Sequence, residues 1–291
     1  SFIDNGVADS MAALGVAVIG IEQVQHGDRR GLSSGEALEV NSPERLFYNF
    51  LNPRAARDNN VQAAADHFQV VRLIEEFATI SGTAVSFDAD NILFFGHSQG
   101  SQGPFLFAAH EPAVMMVALS GAGGYLLDSF LEKRNPMDVS TAIKIALADP
   151  AVEREHPLLN LIQAGLDNVD PMNHAPAVFR SDWSDYLWAP YPHRHVFMSY
   201  GVGDTFTPET TQLALAKNLW VDQWPLDPDD PLPSIDVIES LPHSGTKHWF
   251  GDDITAVVVQ YAPDDDYDAH FVMFEHPDAI SQLDSFVETY L

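Results

Sequence analysis

The five residues Gly96-His97-Ser98-Gln99-Gly100 constrain this chain more than any other stretch. They follow a short, wholly apolar run, Ile92-Leu93-Phe94-Phe95, and open an apolar segment that contains alanines. The run reads as a buried strand and the segment after Gly100 as a helix. A serine at such a junction projects from a sharp strand-to-helix turn, where glycines on either side let helix and neighbouring strand approach without Cβ clashes. That is the placement a nucleophilic serine requires. The pattern GxSxG also arises by chance in many loops, so the flanking strand and helix carry the reading.

Elsewhere the hydrophobic periodicity alternates between helix and short buried strand. Residues 7–14 read as a helix stopped by Gly15, and residues 16–21 (Val-Ala-Val-Ile-Gly-Ile) as a strand. A long helix is expected over about 60–80, closed by Gly82. Residues 114–119 form another strand, running into the turn Gly121-Ala122-Gly123-Gly124. Strand character returns at 196–200, followed by a helix with Thr207 as N-cap and Pro208 at its first position. Residues 222–233 are rich in proline and aspartate and read as surface loop. The last strand is 256–261, and the last helix starts at Pro277. Residues 125–192 lose strand-like runs and gain prolines, tryptophans and short amphipathic pieces. They are expected to form a helical cap inserted between core segments 1–124 and 193–291. Strands alternating with helices imply an α/β fold, a mostly parallel sheet with helices on both faces.

Composition narrows the partners. Forty-two acidic residues against 14 Lys plus Arg give a formal charge of −28, which disfavours nucleic acid and anionic membrane surfaces. Such a surface suits salty or extracellular media, and a secreted or cell-surface protein is expected. There are no cysteines, which removes disulfides, thiolate metal sites and cysteine nucleophiles together.

A nucleophilic serine needs a base, and the base an orienting acid. Asp204, in Gly201-Val202-Gly203-Asp204-Thr205-Phe206-Thr207-Pro208, directly follows a strand and is the candidate acid. The alternatives are a carboxylate serving only its turn, or Asp128 supplying the acid from after an earlier strand. His270 follows the final strand and is the candidate base, ahead of His276 in the entry turn of the last helix. His26 precedes the serine in the chain and is expected to organise its own loop. His97, next to Ser98, is expected to face away from it as a packing residue. His174, His193, His195, His243 and His248 are given no catalytic role. Trp183, Tyr186, Leu187 and Trp188 crowd together in the cap, and Trp183 and Trp188 are the candidate substrate-binding residues. Asp264, Asp266, Asp268 and Glu275 match four places of an EF-hand loop, but Ala269 stands where that loop needs glycine, so an acidic solvated loop is the expectation.

Through Gly96-His97-Ser98-Gln99-Gly100, the Gly203-Asp204 turn and Ala269-His270-Phe271, the chain resembles the α/β-hydrolase superfamily, and most of all large bacterial lipases and esterases, in which a pair like His26-Gly27 precedes the elbow. The resemblance implies an esterase or lipase with a triad of Ser98, Asp204 and His270 and an oxyanion hole using the backbone N–H of Gln99. It implies no metal and no organic cofactor, and a small-molecule or lipid ester as substrate. The alternatives are a serine peptidase or amidase of the same fold, or a non-catalytic binding module. In the fold it resembles, a further strand lies between the 16–21 strand and the elbow strand and carries a second oxyanion donor. An upstream segment of the same protein is therefore expected to complete the sheet; the alternative is a different sheet order in which the 16–21 strand pairs directly with the elbow strand.

Overall fold

The structure is a computed structural model that describes residues 5–30, 43–49, 52–179, 193–238, 245–249, 252–264 and 266–291. Its strands are β1 (Ile92–His97), β2 (Val114–Ser120), β3 (His195–Gly201), β4 (Asp222–Trp224), β5 (Lys247–Trp249), β6 (Asp252–Ile254) and β7 (Ala256–Tyr261). Five of them make one sheet in the order β1-β2-β3-β7-β4, every neighbouring pair parallel, while β5 and β6 form a separate antiparallel pair. Parallel neighbours cannot be joined by tight turns, so helices run between them and cover the sheet.

Because successive residues of a strand point to opposite faces, the central strands feed two apolar layers. On one face Val117, Leu119, Val196, Met198 and Val258 pack with Ala64 and Val71 of helix Pro53–Glu75 and with Leu215 and Leu219 of helix Glu209–Leu219. On the other, Met116, Ala118, Phe197, Val257 and Val259 pack with Met11 of helix Val7–Ala13 and with Leu283, Phe286 and Val287 of helix Pro277–Tyr290. All six residues of β7 are buried, which is why that strand reads as a nearly continuous apolar run, interrupted at Gln260, rather than an alternating one.

Between β2 and β3 the described residues form helices Leu126–Glu132, Val139–Ala146, Pro157–Leu166, Pro171–His174 and Pro176–Phe179. Leu126, Phe130, Val139, Ile143, Leu159 and Leu166 give this region a small core of its own. Fully buried Asp170 accepts from the N–H groups of Tyr125, Leu126 and Met172 and from the Gln163 amide, tying three of the helices together. Arg194 is also fully buried and donates to the carbonyls of Glu111, Val114 and Val178, fastening the segment ahead of β3 to the start of β2.

Three expectations need correction. Residues 16–21 form no strand and pair with none among the described residues; Ile19 is 42% exposed, and of the six only Val16 and Val18 reach the apolar layer. Apolar composition favours a strand, but a strand also needs a neighbour with free N–H and C=O groups. Residues 222–224 are not loop but the edge strand β4, whose Asp222 is buried against Lys247 at 2.6 Å. The Gln223 amide then donates to the carbonyls of Leu232 and Ile235, which orders the proline-rich stretch. The helix after Asp204 begins at Glu209, with Pro208 in the N-cap position.

Candidate active site

Ser98 sits at the tip of the turn between β1 and a short helix, Gln99–Gln102, with φ 54° and ψ −126°. L residues rarely adopt that conformation, and holding it costs on the order of 1–3 kcal/mol. Neighbouring contacts impose it. The Ser98 N–H donates to Ser120 O of β2, while Ser98 O accepts from the N–H groups of Ser101 and Gln102. A Cβ on Gly96 would lie 2.7 Å from Ser101 Cα, so only glycine lets the helix fold back so closely on the strand. Gly100 is different: its nearest neighbour would be Gln23 Nε2 at 3.7 Å, an ordinary contact, so the expected steric need for a second glycine is absent among the described residues.

Asp204 follows β3 and is buried. Its Oδ1 accepts from the N–H groups of Phe206 and Thr207, and its Oδ2 from the Gln212 amide; Oδ2 also lies 2.9 Å from His270 Nδ1. His270, 2% exposed, lies in the turn Ala269–Phe271 after β7. A carboxylate can only accept, so Nδ1 carries the proton and Nε2 is left as an acceptor. Phe206 stacks on the ring at 4.8 Å, and a Cβ on Gly121 would strike it at 2.6 Å. Asp204 thus serves its turn and His270 together. Asp128 lies elsewhere, in an ion pair with Arg154.

Ser98 and His270 line the same cavity, of about 560 Å³. No hydrogen bond joins Ser98 to the His270 ring, and the Gln99 N–H has no acceptor, among the described residues. The cavity has an apolar wall of Phe130, Met137, Val139, Phe206 and Phe271 and a polar end with Gln23, His26 and Gln99. Gln99 Nε2 donates to Gln23 Oε1 and lies 3.4 Å from His26 Nε2, while His26 Nδ1 holds Val24 O. His26 therefore organises its loop, as expected.

Sequence reasoning missed the apolar wall. Phe130 and Val139 pack in the core of the helical region, and nothing in a single sequence tells which core side chain also faces a cavity. His97 packs as expected, its ring 4.6 Å from that of His270 and 4.6 Å from Phe274 and its Nδ1 3.0 Å from the Ser120 hydroxyl, and it also lines the cavity. Burial, with the neighbouring His270 second, pushes its pKa down to about 3, so it stays neutral. His276 stands apart, 3.4 Å from Asp264. Trp183, Tyr186, Leu187, Trp188 and His243 lie outside the described residues. Among the described residues no group of three or more His, Asp or Glu side chains is arranged to hold a metal ion.

A serine on a strained strand-to-helix turn, with a carboxylate and then a histidine delivered after later parallel strands, is the arrangement of the α/β-hydrolase fold. No family model and no curated protein matches the chain. Among solved structures it is similar to an acetyl xylan esterase 1 from a Thermoanaerobacterium species, with 17% identity over 76% of this chain and 52% of that one and a TM-score of 0.41. It is also similar to a monoacylglycerol lipase from Paleococcus ferrophilus, with 13% identity over 76% and 75% of the two chains and a TM-score of 0.34. The chain thus spans about half the length of the esterase.

Proposed function

We propose that this protein hydrolyses carboxylic esters through Ser98, His270 and Asp204. The observation that carries the reading is the 2.9 Å contact between His270 Nδ1 and Asp204 at a cavity that Ser98 also lines. Nε2 of His270 takes the hydroxyl proton as Ser98 Oγ bonds to the ester carbonyl carbon. The carbonyl oxygen becomes an oxyanion beside the Gln99 N–H, which no acceptor engages among the described residues. As the intermediate collapses, the C–O bond to the alcohol breaks and the imidazolium returns its proton to that oxygen. Water then repeats the sequence on the acyl-enzyme, releasing the acid and free Ser98. Asp204 holds the tautomer that leaves Nε2 free and stabilises the imidazolium. The substrate is a small-molecule or lipid ester, its acyl group against the wall of Phe130, Met137 and Val139.

A fluorophosphonate probe should label Ser98, and labelling should vanish in Ser98→Ala. Parallel assays on p-nitrophenyl esters and aminoacyl p-nitroanilides separate ester from amide preference, since both chemistries use one triad. Turnover of the anilides but not of the esters would replace this reading by an amidase. No labelling and no turnover would leave a binding module.

A further inference from the structure

Asp268 and Thr205 form a bridge that none of the roles above uses. Thr205 follows Asp204 directly, and Asp268 stands two residues before His270. The Thr205 hydroxyl donates to Asp268 Oδ2, and the Thr205 N–H to Oδ1 at 3.3 Å. The same Oδ1 accepts the His270 N–H at 2.9 Å. One carboxylate therefore joins the loop after β3 to the turn after β7, beside the contact between Asp204 and His270. On its other side Thr205 engages the segment between helices Leu126–Glu132 and Val139–Ala146. Asn135 Nδ2 donates to Thr205 Oγ1 at 2.9 Å, and the N–H groups of Arg134 and Asn135 donate to Thr205 O. Lys133, Pro136 and Met137 of that segment line the cavity.

We infer that Asp268 and Thr205 are positioning residues, a latch that sets the His270 ring against Asp204 and anchors the cavity wall to the same point. The inference rests on the proposed triad. Asp204 and His270 come from separate strand ends, and misplacement by about 1 Å is enough to cost about 10²-fold in rate. Asp268, expected in an acidic solvated loop, thus has all its described contacts within the site. If Asp268 merely capped its own turn, only its bond to the His270 N–H would matter.

The variant Thr205→Val separates the two roles, because it keeps that cap bond and removes the hydroxyl bridge. With p-nitrophenyl butyrate, Thr205→Val should lower kcat about 10- to 100-fold while KM stays within about twofold, and Thr205→Ser should recover most of the loss. Asp268→Ser, which retains a capping oxygen, should match Thr205→Val. Wild-type kcat in Thr205→Val, or Thr205→Ser as impaired as Thr205→Val, overturns the inference. A readout without substrate distinguishes its failure from that of the functional reading: the low-field proton resonance of the His270 Nδ1–H. That signal should persist in wild type and Thr205→Ser and broaden through exchange with water in Thr205→Val. If it is unchanged in both Thr205→Val and Asp268→Ser, the latch is refuted. If it behaves as stated in a protein that turns over no ester, the latch stands and the hydrolase reading falls.

Discussion

Nδ1 of His270 lies 2.9 Å from Oδ2 of Asp204, 66 residues earlier in the chain, with both side chains almost wholly buried. The carboxylate selects the tautomer, so Asp204→Asn should leave the fold intact and lower ester turnover by on the order of 10³-fold or more. Ser98→Ala and His270→Ala should each cost at least about as much, and the double variant no more than either alone, because the three groups act as a unit. Steady-state kinetics on a p-nitrophenyl ester measures all four proteins. A fully active His270→Ala protein would falsify the assignment.

The two glycines of the elbow should respond unequally. Gly96→Ala places a methyl group 2.7 Å from Ser101 Cα, against backbone that cannot swing aside, and should cost about 1–3 kcal/mol of stability along with most labelling of Ser98. Gly100→Ala meets only the end of Gln23 and should fold and label nearly as wild type. Chemical denaturation with probe labelling reads both, and equal damage from the two substitutions would contradict the elbow geometry.

Phe130 belongs at once to the core of the helical region and to the cavity wall. Phe130→Ala should therefore destabilise by about 3–5 kcal/mol and shift preference toward longer acyl chains. A series of p-nitrophenyl esters of increasing chain length tests the second effect. An unchanged profile beside a lowered melting point would assign Phe130 to packing alone.

Acid should weaken the fold through its buried histidines. Burial is the first cause lowering His97 to about 3 and His110 and His195 to about 4, from a usual value of 6.5. For His97 the neighbouring His270 adds to it, and for His110 so do His174 and Arg194. Since the folded value is the lower one, the unfolded chain binds more protons between about pH 4 and 6.5, and stability rises with pH across that window and levels off above it. Neutralising the acidic surface works the other way, so the comparison is between variants. His195→Gln should show a shallower loss of melting temperature between pH 7 and 4 than wild type, and identical slopes would remove His195 from the account.

How much of this was legible along the chain depends on the range of the physics involved. The elbow could be read because its determinants are local: an apolar strand, a serine, and a glycine whose missing Cβ is required within five residues. β2, β3 and β7 could be read because they are buried on both faces, which writes itself as nearly continuous apolar runs rather than as alternation. Asp204 and His270 could be named from their order after strands, though the contact between them depends on where β3 and β7 stand in the sheet.

Pairing and packing set the rest. An apolar run such as 16–21 has strand composition whether or not a partner lies beside it, and among the described residues none does. Asp222 looks like a loop residue until Lys247, 25 positions later, arrives to neutralise it within a strand. His97 reads as a packing residue, but that it packs on the rings of His270 and Phe274 is decided only in the folded chain. Asp268 reads as one carboxylate of an acidic solvated loop, and its contacts run to Thr205, 63 residues away. Local propensity and burial are properties of neighbouring residues and survive in a string of letters. Which carboxylate meets which hydroxyl is a property of the folded chain, set when helices on both faces close the sheet.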